Sequence, residues 1–180
     1  MYTEQFKNIF RETKQRYKQL ENVDVEIRFT KSWFFTMRAV VQMSSLINGK
    51  RKYIVYLNLN KQQSIFSQLS KDDLIGWFAH ELAHVIDYER MSNLKLAEFT
   101  LRYIFDFRFK FSVERRINAF TANSGFAKEL FGVWIKFLGM EGFSQKYKRY
   151  IIKNYRPDWE DVCEAAKKEG WDKKMYDKFI

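Results

Sequence analysis

The sequence is short of the residues that staple or interrupt a chain, and short of imidazole: 180 residues contain one cysteine, one proline, seven glycines and two histidines. With Cys163 as its lone cysteine the chain has no disulfide framework, so a reducing compartment is expected and packing must hold the fold. No run approaches the 18 or so apolar residues of a membrane span, because Arg102, Asp106, Arg108 and Lys110 interrupt the most aromatic stretch. The opening residues, Met1-Tyr2-Thr3-Glu4-Gln5-Phe6-Lys7, lack the apolar core of a signal peptide. Internal repeats and low-complexity linkers are also missing. A cytoplasmic location is therefore expected.

What is present is enough for a real core. Apolar residues make up 46% of the chain and aromatic residues 18%, which excludes disorder and suits a single domain of this length. Basic residues outnumber acidic ones, giving a formal charge of +10. They are spread over the chain, with local clusters at Lys50-Arg51-Lys52, Arg115-Arg116 and 146 to 153. A solvated surface accounts for that spread, and a nucleic-acid or anionic-membrane partner is the alternative if the clusters converge in space.

Both histidines lie in His80-Glu81-Leu82-Ala83-His84, between the apolar runs Leu74-Ile75-Gly76-Trp77-Phe78-Ala79 and Val85-Ile86. On a helix, positions four apart share a face one turn apart, so both imidazoles can reach one metal ion with Glu81 at its rim. Two neutral imidazoles and a carboxylate suit Zn²⁺ with a fourth position open to water, whose pKa the metal lowers. Glu81 can take that proton and pass it to a leaving amine. Two hydrogen-bonded core histidines are the bland alternative, but they leave Glu81 unpaired in apolar surroundings.

Around the motif the periodicities change. Residues 3 to 20 place Phe6, Ile9, Phe10, Thr13, Tyr17 and Leu20 at helical spacing. Val23, Val25, Ile27 and Phe29 then alternate with charged residues, as in a half-buried strand. A second strand is expected within 33 to 46, then an Asn48-Gly49 hairpin turn, then a third strand over 53 to 59. Ser70 caps the motif helix, with Asp72 and Asp73 in its first turn. Residues 93 to 123 read as one long helix or two joined near Phe111-Ser112. A helix over 126 to 138, a basic helix over 144 to 155 and a last helix opened by Pro157 complete the chain. The expected fold is α+β: an N-terminal helix on a small antiparallel sheet of about three strands, the motif helix, and a mostly helical C-terminal part. The expected division is a domain over 1–143 and a helical extension over 144–180 packed on it.

With no further histidine, a third zinc ligand must be a carboxylate: Asp87, Glu89, Glu98, Asp106, Glu114 or Glu129. Asp87 sits roughly 10 Å along the helix from His80, which suits a rim or supporting role. Glu114 is preferred, since Val113, Ile117 and Phe120 form a core stripe beside which Glu114 and Asn118 stand one turn apart; Asn118 could orient a ligand by hydrogen bond. A surface glutamate paired with Arg115 or Arg116 is the alternative reading of Glu114, and Glu98 is the runner-up ligand.

Phe78-Ala79-His80-Glu81-Leu82-Ala83-His84-Val85-Ile86-Asp87-Tyr88 resembles the active-site helix of zincin metallopeptidases. Glu114 with Asn118 is similar to the second motif of the gluzincins, the thermolysin-like group, where a ligand Glu is followed at that spacing by an Asp. The resemblance covers roughly residues 50 to 125. It implies that His80, His84 and Glu114 are zinc ligands, Glu81 the general base and Asn118 the supporting residue. Asn118 departs from the family's Asp and, being neutral, would raise a histidine's basicity less. The interval from His84 to Glu114 is closer to that of the minimal gluzincins and the relatives of the CAAX-prenyl endopeptidases than to thermolysin's. Gluzincins usually carry a later His, Tyr or Arg that stabilises the oxyanion; here that role would fall to Tyr147, Tyr150, Tyr155 or an Arg.

The expectation is a zinc metallopeptidase that hydrolyses a peptide or unfolded segment laid along a sheet edge. Two alternatives stand beside it. One is a nucleic-acid-associated zinc protein like the crosslink-clearing proteases of the Spartan type, which carry a third His that this chain lacks. The other is a catalytically idle zincin scaffold acting as an interaction module.

Overall fold

The computed structural model describes residues 2–32, 35–46, 49–61, 65–139, 145–146, 149 and 162–170. The fold is α+β. Helix α1, Tyr2–Arg16, leads to strand β1, Asp24–Thr30; strands β2, Met37–Val41, and β3, Lys52–Asn58, follow. Then come helices α2, Lys71–Glu89, α3, Asn93–Phe105, α4, Phe107–Thr121, and α5, Ala127–Gly139. Of the basic helix expected over 144 to 155, residues 145, 146 and 149 are described and are helical, the rest and the start of the helix opened by Pro157 lie outside the described residues, and 162–168 are helical. The chain forms two compact units, one of residues 1–68 and 81–102, the other of 69–80 and 103–180.

In the first unit, α1 buries the stripe Phe6, Ile9, Phe10, Thr13 and Tyr17 that its spacing predicts. The Phe6 ring lies 6.5 Å from Phe29 of β1 and meets Phe66 edge-on at 5.6 Å. The sheet order is β1-β3-β2. The sheet is mixed where an antiparallel one was expected: β2 runs antiparallel to β3, but β1 runs parallel to it, Asp24 opposite Lys52 through Thr30 opposite Asn58. Alternation along β1 reports a half-buried face and carries no information on direction, which the neighbouring strand decides. As the middle strand, β3 buries Tyr53, Ile54, Val55, Leu57 and Asn58. A helical turn at Met43–Leu46 occupies the β2–β3 connection, and Ser45 Oγ closes it, donating to Gln42 O and accepting from Lys52 N at 2.9 Å. Gly49, at φ 75°, supplies the left-handed residue there.

The second unit contains the first half of α2. Ser70 Oγ and N both donate to Asp73, whose own N donates back to Ser70 Oγ at 3.3 Å. This is a capping box with aspartate at its third position, and Lys136 of α5 joins it by pairing with buried Asp73. One turn on, Gly76 lets α2 meet the α5 backbone: a β-carbon there would lie 2.3 Å from the Glu129 carbonyl carbon. Leu130, Phe131, Val133, Val162 and Ala166 are buried in the same core, against which Trp77, Phe137 and Cys163 pack.

The long aromatic segment breaks into α3 and α4 at Asp106, five residues before the expected joint. Asp106 has extended backbone (φ −111°, ψ 99°), and its side chain accepts from Phe109 N at 3.0 Å. A short polar side chain that can satisfy an open helix N-terminus decides where the break falls. At the far end of α4, Gly125 takes φ 85° and turns the chain into α5.

Candidate metal centre

The motif forms the middle of α2, so His80 and His84 share a face by helical period. His84 and Glu81 are buried, as are Leu82, Ala83, Val85 and Ile86 around them. On α4, Val113 and Ile117 form the core stripe, and Glu114 beside them is only 9% exposed. Its Oε2 lies 3.2 Å from His80 Nε2. One ligand atom from each of His80, His84 and Glu114 lies within 4.8 Å of the others, and among the described residues these three are the group that could hold a metal ion.

The donor set fits such an ion. Ligand atoms about 2.1 Å from a tetrahedral metal are about 3.4 Å apart, so the His80–Glu114 spacing is already that of two atoms sharing one ion. Two imidazoles and a carboxylate suit Zn²⁺ among borderline cations, and three protein ligands leave a position for water or substrate. The other carboxylates considered do not join the group: Glu98 and Asp106 are exposed, Asp87 and Glu129 are half-buried elsewhere, and Glu89 accepts from the Tyr53 hydroxyl.

Two contacts fix the carboxylates. The Tyr103 hydroxyl donates to Glu114 Oε1, leaving Oε2 towards His80. Such a bond sets a ligand's orientation before the metal arrives. Glu81 Oε2 accepts the Ala39 N–H at 2.7 Å. Ala39 is in β2, an edge strand, and stands opposite Val55 of β3. Its N–H points off the sheet to the motif helix, so Glu81 is held against the outer edge of β2.

Asn118 is buried one turn beyond Glu114, and its Oδ1 accepts no hydrogen bond among the described residues. A buried acceptor left without a donor costs about 1–3 kcal/mol, so this oxygen calls for an N–H partner. Tyr147, Tyr150 and Tyr155 lie outside the described residues. Tyr103 and Ala39 are the contributors that sequence reasoning missed. Tyr103 precedes Glu114 by 11 residues across a helix break that periodicity did not locate, and Ala39 acts through its backbone, which no side-chain pattern reports.

The C-terminal end of α2 is also secured. The Arg51 guanidinium donates to Tyr88 O at 2.8 Å, to Met91 O at 2.7 Å and to Asn93 Oδ1. A cation on the last carbonyls of a helix offsets their partial negative charge. Compared with protein-family models, curated proteins and solved structures, the chain finds no match in any of the three.

Proposed function

We propose that the chain is a zinc-dependent peptidase of gluzincin type, in which His80, His84 and Glu114 hold the ion and Glu81 is the general base. The observation that carries this reading is the convergence of Glu114 with the two histidines of the motif helix. A bound Zn²⁺ supplies Lewis acidity at the scissile carbonyl. Glu81 takes a proton from the attacking water and returns it to the leaving amine. An extended peptide pairing along the outer edge of β2 lies against Glu81, because the Ala39 N–H of that strand already reaches its carboxylate. Tyr103 holds the Glu114 carboxylate in register, and Asn118 Oδ1 is available to accept a ligand imidazole's N–H.

The test is Glu81→Gln, which keeps the shape of the side chain and removes its basicity. Zinc binding by the variant should equal that of the parent, while cleavage of an unstructured protein falls by about 10²–10⁴-fold. Undiminished cleavage by zinc-loaded Glu81→Gln would sink the assignment. A parent chain that binds zinc and cleaves no unstructured polypeptide would point to an idle scaffold instead.

A further inference from the structure

We propose that the corner joining α3 to α4 is a docking surface for an anionic lipid surface. Leu101 and Ile104 are each 59% exposed, Phe105 78% and Phe107 68%. On α3, Leu101, Ile104 and Phe105 are spaced three and four apart and so share one outward face. Phe107, at the start of α4, is exposed just beyond the corner. Asp106 fixes that corner by capping α4 through Phe109 N, so the rings are held outward on ordered backbone. Soluble monomers rarely leave this much large apolar side chain in one place without a use.

The charge beside the patch names the partner. Arg108, Ser112, Arg115 and Arg116 are all exposed on α4, and their spacing of four, three and one puts them on one face of that helix. The Lys110 ammonium, a fourth cation on α4, lies 5.3 Å from the Tyr103 ring centroid. Apolar side chains at a helix corner with arginines along the helix that follows match an interfacial contact: the apolar side chains enter the acyl boundary and the guanidinium groups stay among the headgroups. Single-stranded nucleic acid also takes arginines and aromatic rings, but Leu101 and Ile104 offer no stacking face to a base. No helix among the described residues is long and apolar enough to cross a membrane, so the contact is one of lying on the surface. The inference is independent of the peptidase reading.

The experiment is cosedimentation of the whole chain with phosphatidylcholine vesicles that do or do not contain phosphatidylserine. Binding is expected to the anionic vesicles, about tenfold or more weaker to phosphatidylcholine alone, and to weaken with added salt. The double variant Phe105→Ser/Phe107→Ser should lower the anionic partition coefficient by about tenfold or more, and Arg108→Glu should lower it while steepening nothing for neutral vesicles. An unchanged melting temperature and far-ultraviolet circular dichroism in these variants shows that the fold is intact. No binding to either vesicle, equal binding to both, or full binding by the serine variant overturns the proposal. Concentration-dependent self-association in the absence of lipid, abolished by the serine variant, also overturns it and assigns the patch to a second copy of the chain. Retention on single-stranded oligonucleotide with no vesicle binding does so in favour of nucleic acid.

Discussion

Replacing Tyr103 by Phe removes one oxygen and leaves the ring, and it tests whether Glu114 is a ligand that the protein has set in place. The hydroxyl donates to Glu114 Oε1 while Oε2 faces His80. A hydrogen bond to a charged group contributes about 1.5–3 kcal/mol, which corresponds to roughly 10–150-fold in an equilibrium constant. Loss of a partner that orients a metal ligand typically weakens metal affinity by about 10–100-fold, so both routes give tenfold or more. Melting temperature supplies a second readout. Zinc at 100 times the dissociation constant stabilises the fold by about 2.7 kcal/mol, and a tenfold weaker site leaves about 1.4 kcal/mol. At about 2–4 °C per kcal/mol for a chain of this size, the zinc-induced rise in melting temperature should shrink by roughly 3–5 °C. Competition titration against a chelating dye measures the affinity directly. Comparing each protein with and without metal removes whatever the substitution does to the metal-free fold. Glu114→Gln is the reference, and should weaken zinc more than Tyr103→Phe does. A Tyr103→Phe protein that binds zinc within twofold of the parent refutes the reasoning, because Glu114 would then need no orienting partner.

Two further outcomes follow from the packing. Gly76→Ala would gain about 1 kcal/mol of helix propensity, but its methyl group meets the Glu129 backbone at 2.3 Å, where overpacking costs about 1–3 kcal/mol or more; thermal melting should show net destabilisation, and a stabilised variant would mean that α2 and α5 are less tightly apposed. Burial, and then the bond to Glu89, push the Tyr53 phenol well above its ordinary value of 10.0. The fold therefore keeps Tyr53 protonated where the unfolded chain ionises, so this contribution is complete below about pH 10 and is lost as pH rises beyond it. Urea denaturation at stepped alkaline pH should show that decline, and Tyr53→Phe should flatten it.

The candidate metal-binding group was legible to the extent that side-chain identity and helical period define it. His80, Glu81 and His84 announce themselves by spacing alone, and Glu114 could be picked out because it flanks the Val113–Ile117 stripe on a helix that had to pack inward. The positioning groups were hidden for physical reasons. Tyr103 reaches Glu114 across the break at Asp106, whereas the sequence reads as one long helix or two joined near Phe111-Ser112. Within an uninterrupted aromatic run, hydrophobic period gives no boundary; the boundary comes from one side chain's ability to cap, a local hydrogen bond that competes with helix continuation. The parallel pairing of β1 was hidden likewise, since a period of two fixes which face is buried and leaves strand direction to the partner.

The basic surplus shows why a net charge read from sequence under-determines function. Of the cluster Lys50-Arg51-Lys52, Arg51 is committed to the carbonyls that end α2, and Lys52 pairs with Asp24 across the β1–β3 ladder at 3.4 Å. Near the N-terminus, Lys7 and Arg11 both contact Glu4 on α1, at 3.5 and 3.0 Å. These pairs are exposed and each contributes no more than about 1 kcal/mol, yet they compensate charge locally, and that portion of the surplus projects little field outward. Arg108, Arg115 and Arg116 of α4 differ in company: they are exposed on one helical face whose first residue follows the exposed Phe107, with Asp106 engaged as a cap. Long-range attraction to an anionic partner depends on cations gathered on one face, since separations beyond about 8–10 Å are screened at physiological salt. Among the described residues, the cations placed for an anionic partner on this reading are those around Arg108, and a substitution of Arg51 should disturb the end of the motif helix while leaving any anionic contact as it was.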